Sequence, residues 1–301
     1  LHEESLASVN YSVLAPVANV EQAAPLGRLS SLLAKAHGGE VLALNVVTVP
    51  PSLNLSDGRL FLREGRPPLE KVIEQARQLD VPVHTMIRLG RSVSEAIMKT
   101  VAESASDFIL FGWPGMSGTH DRLFGSVIDY VVSNPPTDMG IVRLRPFDKL
   151  SQILVPVAGG PNGRLALSLA VGLARHTPED TKVVLLHVIL DGVDPGAAQA
   201  RAETAFRQAL NGTDYAHIEK RTIAAETPVA GILQEAAGCD MVVIGATKEP
   251  MFRNLLMGNV AQQIAEQAAS PVIVVKQRSN ILASMLRETI LPPIHLSSKL
   301  K

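Results

Sequence analysis

A chain of 301 residues with a single cysteine, a single tryptophan and 4% aromatic residues lacks several things that would announce a function. The lone thiol, Cys239, excludes an internal disulfide framework and fits a reducing compartment, so the cytoplasm is the expected location. Its setting, Gly238-Cys239-Asp240 beside a strand, reads as buried filler and not as a nucleophile. The eight histidines have no ligand-like spacing, which argues against a metal site. No apolar run reaches the length of a bilayer crossing, and no basic segment followed by an apolar one opens the chain. Charge is balanced, 28 basic against 29 acidic residues without blocks of one sign, so neither a nucleic-acid footprint nor a membrane-surface patch is present. Neither G-x-S-x-G nor a paired-carboxylate motif occurs.

What the chain has is aliphatic. Hydrophobic residues make up 46%, in many short Val/Ile/Leu runs of the kind that form parallel strands buried on both faces. Tyr11 to Ala18 is the first such run, followed by a helix with Leu26, Leu29 and Leu33 on one face and Gly38-Gly39 at its end. Val41 to Val47 forms a second strand, 69–79 a helix with Leu69, Val72, Ile73 and Ala76 at helical spacing, and Val81 to Ile87 a third strand. Ser92 with Glu95 reads as a capping box that starts a helix through Ile97 and Val101. Residues 107–111 are a fourth strand and Gly140 to Leu144 a fifth. The order βαβαβαβαβ predicts a parallel sheet covered on both faces.

From Gln152 the same order begins again, and this repeat is the strongest observation in the sequence. Ile153 to Ala158 echoes Val13 to Ala18, and Leu165, Leu169 and Leu173 restate the first helix. Thr227-Pro228 reads as an N-cap followed by proline at the first helical position. Asp240 to Gly245 lines up with Asp107 to Gly112, and Gly258 with Gly125, at one common offset. The expected organisation is therefore a first domain at 8–147, a second at 150–278 and a tail at 279–301, with the short joint Arg145 to Ser151 between the domains.

Between the fourth strand and the next helix lies Gly112-x2-Gly115-x9-Gly125-Ser126, then Val127-Ile128-Asp129-Tyr130-Val131-Val132, closed by Asn134-Pro135-Pro136. Glycines at a strand-to-helix junction let backbone N–H groups approach an anion, and the helix N-terminus adds partial positive charge. The spacing resembles the G-2x-G-9x-G-[S/T] signature of the nucleotide-binding branch of the universal stress protein family, and all four positions match. The resemblance implies two tandem open parallel five-stranded sheets of order 3-2-1-4-5 with helices on both faces. It also implies ATP or another adenine nucleotide as ligand, and domains that pair through their fifth strands as a pseudo-dimer within one chain; a homodimer of the whole chain is compatible with it. Ligands of open parallel sheets bind beyond the carboxyl ends of the strands where the order reverses. That places Pro16, Val17 and Ala18 on one wall, Val46 and Val47 at an adenine, and Gly112, Gly115, Arg122, Gly125, Ser126 and Val127 around ribose and phosphate.

The pattern fails at two places. Members that hold ATP usually carry aspartate at the end of the first strand, where both copies here have alanine, Ala18 and Ala158. Loss of one buried polar contact costs about 1–3 kcal/mol, roughly tenfold to a hundredfold in affinity. The second copy also has Lys248 for the second glycine and Asn259 for Ser/Thr, so the first copy is expected to be the nucleotide site and the second its structural partner. The loop Gly159-Gly160-Pro161-Asn162-Gly163 lacks a Walker lysine and the full G-x-G-x-x-G spacing. Arg122 suits a phosphate, while His120 and Asp121 beside it read as solvated loop residues, and no nucleophile-base-acid set is discernible.

The expected function is a non-catalytic, nucleotide-binding regulatory or stress-response module. A slow ATPase and a ligand-free structural dimerisation module are the alternatives. Tandem domains of this family also occur fused behind membrane transporters, APC-type permeases and cation/proton antiporters among them, and a start at Leu1 without methionine is compatible with an excised cytoplasmic tail whose partner is a transporter membrane domain. Two segments fall outside the repeat. Thr48 to Pro68, bracketed by proline pairs, reads as a lid, a docking surface or a disordered loop. The end from Ile281, with Leu282, Met285, Leu286 and Ile290, reads as a short amphipathic helix.

Overall fold

The computed structural model describes residues 11–113, 126–133, 135–147, 149–177, 180–246 and 259–278. The first half contains β1 (Ser12–Pro16), α1 (Val20–Ala36), β2 (Glu40–Thr48), α2 (Arg66–Gln78), β3 (Val83–Gly90), α3 (Val93–Ser104), β4 (Phe108–Trp113), α4 (Ser126–Ser133) and β5 (Asp138–Arg143). The second contains β6 (Gln152–Pro156), α5 (Pro161–Arg175), β7 (Lys182–Leu190), α6 (Pro195–Leu210), β8 (Ile218–Ala225), α7 (Pro228–Ala236), β9 (Met241–Gly245), α8 (Asn259–Gln267) and β10 (Val272–Lys276).

Each half has the expected strand order, β3-β2-β1-β4-β5 and β8-β7-β6-β9-β10, with parallel neighbours throughout. The two sheets are continuous. β5 and β10 pair antiparallel with Ile141 opposite Val274 and Val142 opposite Ile273, giving one sheet of ten strands. Side chains on successive strand residues point to opposite faces, so the apolar runs feed two cores. Val13, Ala15, Val183 and Leu185 pack under α1, α2, α5 and α6, while Leu14, Leu154, Val184 and Leu186 pack under α3, α4, α7 and α8. Both cores include residues of both halves, and α1 touches α5 directly: a Cβ on Gly172 would stand 3.1 Å from that of Ala36.

The element ends follow local chemistry. Asn19 accepts the Glu21 N–H at 2.8 Å as N-cap of α1, which draws residues 17–19 out of the strand and ends β1 at Pro16, short of the expected Ala18. Glycine is required after α1, since Gly38 has φ +62 and a Cβ on Gly39 would lie 2.1 Å from the Tyr11 carbonyl. Ser92 accepts the Glu95 N–H at 3.3 Å, and Thr227 accepts the Ala230 N–H at 3.1 Å. The paired aspartates of the repeat have the same duty. Asp107 accepts the Ser12 N–H at 2.8 Å, and Asp240 accepts those of Ser151 and Gln152 at 2.7 and 2.9 Å, tying the start of each half's first strand to its fourth. Cys239 is buried; its thiol bonds the Glu235 carbonyl, and burial pushes its pKa up.

The segment after β2 is ordered. Leu55–Gly65 forms a 3-10 helix, and the Arg91 guanidinium holds its approach through the carbonyls of Val49, Pro50 and Leu53 at 3.2, 2.6 and 2.8 Å. In the joint, Phe147 lies under the Arg28 guanidinium at 5.0 Å, fixing the connection to α1. Residues 279–301, with the expected amphipathic helix, lie outside the described residues.

Candidate functional site

A cavity of about 300 Å³ opens where strand order reverses in the first half, between the carboxyl ends of β1 and β4. Pro16, Val17 and Ala18 form one wall; Val46 and Leu44 on β2, Phe111 and Gly112 on β4, and Val127 at the start of α4 form the others. Of the sequence-predicted site residues, Pro16, Val17, Ala18, Val46, Gly112 and Val127 thus meet at one cavity. Val47 does not, because strand alternation turns its side chain away from that of Val46, and it is buried on the other side. Ser126 opens α4 as an exposed residue and is not on the cavity wall. Gly115, Arg122 and Gly125 lie outside the described residues, as do His120, Asp121 and Lys248.

The wall is held from behind. Asn45, 6% exposed, donates its amide to the Val17 carbonyl at 2.7 Å, and the Val17 N–H reaches the Leu44 carbonyl at 2.8 Å. The β1–α1 turn is therefore fixed by β2 on both its donor and its acceptor side. Gly65 at the end of the 3-10 helix leans on the same amide, since a Cβ there would lie 2.5 Å from Asn45 Oδ1. In the second half His187 takes this place, its Nδ1 2.8 Å from the Val157 carbonyl and its ring edge-on to Phe206.

Sequence reasoning missed Leu44 and Phe111 on the strands and Asn19, Gln22, Leu26, Val93, Ile97 and Ile128 at or on the helices, all on the cavity. One signal was there to be read: Gln22 stands four residues before Leu26, a polar residue on the apolar stripe of α1. Among the described residues no charged side chain lines the cavity, so it offers an apolar bed for a flat ring, and the described walls contain no counter-charge for a phosphate. Among the described residues there is also no group of three side chains able to hold a metal ion.

The second half has a corresponding cavity of about 200 Å³ along Pro156, Val157, Ala158, Gly245 and Ala246. It is narrowed by the first turn of α5. The Asn162 side chain donates to the Ala246 carbonyl at 2.6 Å and accepts the Gln277 N–H at 2.9 Å, and a Cβ on Gly245 would lie 2.6 Å from the Asn162 carbonyl carbon. At Gly112 the same test finds its nearest neighbour, Gln22 Oε1, at 3.4 Å.

A twice-repeated α/β unit with a crevice at each switch point, fused through antiparallel fifth strands, defines a tandem doubly wound protein. The universal stress protein family matches residues 12–143 and 149–276, and the chain belongs to that family. A universal stress protein from Archaeoglobus fulgidus has the same fold, with a TM-score of 0.61 at 18% identity over 87% of this chain and 97% of that one. The cytoplasmic domain of a prokaryotic cation chloride cotransporter superposes with a TM-score of 0.55 at 11% identity, over 91% of this chain and 99% of that one. The Na(+)/H(+) antiporter NhaS5 of Synechocystis is 25% identical over 270 residues; the alignment takes in 87% of this chain but only 38% of the antiporter's length. Among the described residues no helix is long and apolar enough to cross a membrane.

Proposed function

We propose that this chain is a non-catalytic regulatory module that binds one adenine nucleotide, ATP or AMP, in the crevice of its first half. The observation that carries the reading is the asymmetry between Gly112 and Gly245: only the tips of flexible side chains approach the first glycine, whereas the Asn162 backbone presses on the second and leaves the smaller crevice. The apolar cavity suits the base, and the spacing of Gly112, Gly115, Gly125 and Ser126 supplies backbone N–H groups and a helix N-terminus for the phosphates, with Arg122 as their counter-charge. The two halves act as an intramolecular pseudo-dimer through β5 and β10. The similarity to part of an Na(+)/H(+) antiporter and to the cytoplasmic domain of a cotransporter supports a cytoplasmic role beside a membrane transporter, whose gating the nucleotide would report to.

Calorimetric titration with ATP and AMP tests this on the wild type, on Gly115→Asp and on Val46→Trp, which fills the cavity. The expected result is one nucleotide per chain, with roughly tenfold to a hundredfold weaker binding in either variant, the order of an unmatched buried polar or overfilled contact. Unchanged binding in both variants removes the site from the first half. The absence of charge from the described cavity walls favours, as second reading, a structural pairing module without ligand, for which wild type would show no heat with either nucleotide.

A further inference from the structure

Resting on the assignment of the first crevice to an adenine nucleotide, we infer that Gln22 is the side chain that gives this site its polar selectivity, by hydrogen-bonding the nucleotide at its 6-amino edge or its ribose hydroxyls. Only two side chains among those on the cavity wall that the structure describes are polar, Asn19 and Gln22. Asn19 is engaged, its Oδ1 accepting the Glu21 N–H as helix cap. Gln22 makes no hydrogen bond with any described residue. Its half-buried amide stands over the end of β4, with Oε1 3.4 Å from where a Cβ on Gly112 would be. An amide offers two donors and one acceptor; those of Gln22 are left to solvent by the protein, and a ligand that displaces the water from this apolar wall must replace the water's hydrogen bonds with its own polar atoms. Ala18, two residues past the end of β1, has no polar side-chain group to do the same.

The second half shows what this helix position reaches. Asn162 takes the place of Gln22 in the first turn of α5, and both ends of its amide are spent on the protein, on the Ala246 carbonyl at 2.6 Å and the Gln277 N–H at 2.9 Å. The same site on the fold thus presents an amide to the end of the fourth strand twice, once closed on the chain itself and once open to the cavity. A group that hydrogen-bonds a ligand discriminates against analogues that lack the partner atom, because its own polar atoms are then left unpaired.

The test is calorimetry on the full chain and on Gln22→Met and Gln22→Leu, with three probes: ATP, the purine riboside triphosphate that lacks the 6-amino group, and 2′-deoxy-ATP. Both variants are expected to melt like wild type without ligand and to bind ATP about tenfold to a hundredfold more weakly. Wild type is expected to bind one of the two analogues more weakly than ATP, and that penalty to vanish in Gln22→Met; the analogue concerned tells base edge from ribose. If wild type binds ATP and both variants match it, or both analogues keep their full penalty in Gln22→Met, Gln22 is part of the scaffold alone and the inference falls while the nucleotide assignment stands. If wild type binds no ATP, the assignment falls and takes the inference with it.

Discussion

Gly112 and Gly245 occupy the same place in two copies of one fold, and their surroundings are opposite. Above Gly112 the nearest atoms to a notional Cβ are the tips of flexible side chains at 3.4 to 3.6 Å; above Gly245 they are the backbone of Asn162 at 2.6 to 2.7 Å. The scaffold under both follows one plan: Asp107 and Asp240 each tie the start of a first strand to a fourth, and Asn45 and His187 each hold the turn after a first strand through its valine carbonyl. What differs is one turn of helix, and that turn goes with the narrower of the two switch-point crevices, about 200 Å³ against about 300 Å³.

Matched substitutions in the two halves would break or sharpen this comparison. The largest effect is expected in the shared scaffold. Leu14 and Leu154 are both fully buried at equivalent strand positions, and Leu14→Ala and Leu154→Ala should each cost about 2–5 kcal/mol in urea unfolding. If one substitution proved nearly neutral, the two cores would not be equivalent supports. Next in size is the glycine pair itself. Gly245→Ala forces a methyl against backbone and should destabilise by about 1–3 kcal/mol, whereas Gly112→Ala meets only side-chain tips at ordinary van der Waals contact and should stay within about 0.5 kcal/mol of wild type by the same measurement. Equal losses would mean that the first crevice is as closed as the second.

The smallest effect concerns pH. Burial, with the His37 ring stacked on Tyr11 at 4.0 Å, lowers the His37 pKa below the ordinary imidazole value, so the unfolded chain binds this proton more readily than the folded one. Its contribution to stability is present above the ordinary imidazole pKa and is lost as pH falls toward the lowered folded value. Melting temperatures recorded from neutral to mildly acidic pH should therefore fall less steeply in His37→Asn than in wild type; identical slopes would assign the acid sensitivity elsewhere. Asp138 acts in the opposite sense over a more acidic range, because burial raises its pKa even though its carboxylate accepts the Arg278 N–H at 2.7 Å.

Much of the architecture could be read from residue order, because strand and helix periods are local properties of the chain and a repeat displays them twice. Leu26, Leu29 and Leu33 announce α1, and Leu165, Leu169 and Leu173 announce α5, before any contact is known. The ends were less legible. β3 runs to Gly90, beyond the expected Ile87, because β2 extends to Thr48 and offers it partners through that register. For Thr48 to Pro68 the proline pairs and the length left lid, docking surface and disordered loop all open; the structure has a 3-10 helix there, and its approach is held by Arg91, 38 to 42 positions away along the chain from its three carbonyl partners. For the site, residue type and spacing pointed to the strand ends and the glycines, and missed α1 and α3, which line the cavity from the two faces of the sheet.

The sequence by itself determined the repeated βα units, the reversal of strand order implied by family resemblance, and the loss of aspartate at Ala18 and Ala158, since each is written in neighbouring residues or in fixed spacing. Only the tertiary structure decided which crevice is the wider. Gln22 and Asn162 are both polar residues in the first turn of a helix, and nothing local tells them apart. Their fates depend on how close that turn comes to a strand more than eighty residues further on, as the separation of 84 between Asn162 and Ala246 shows, and on whether a carbonyl waits there to take the amide.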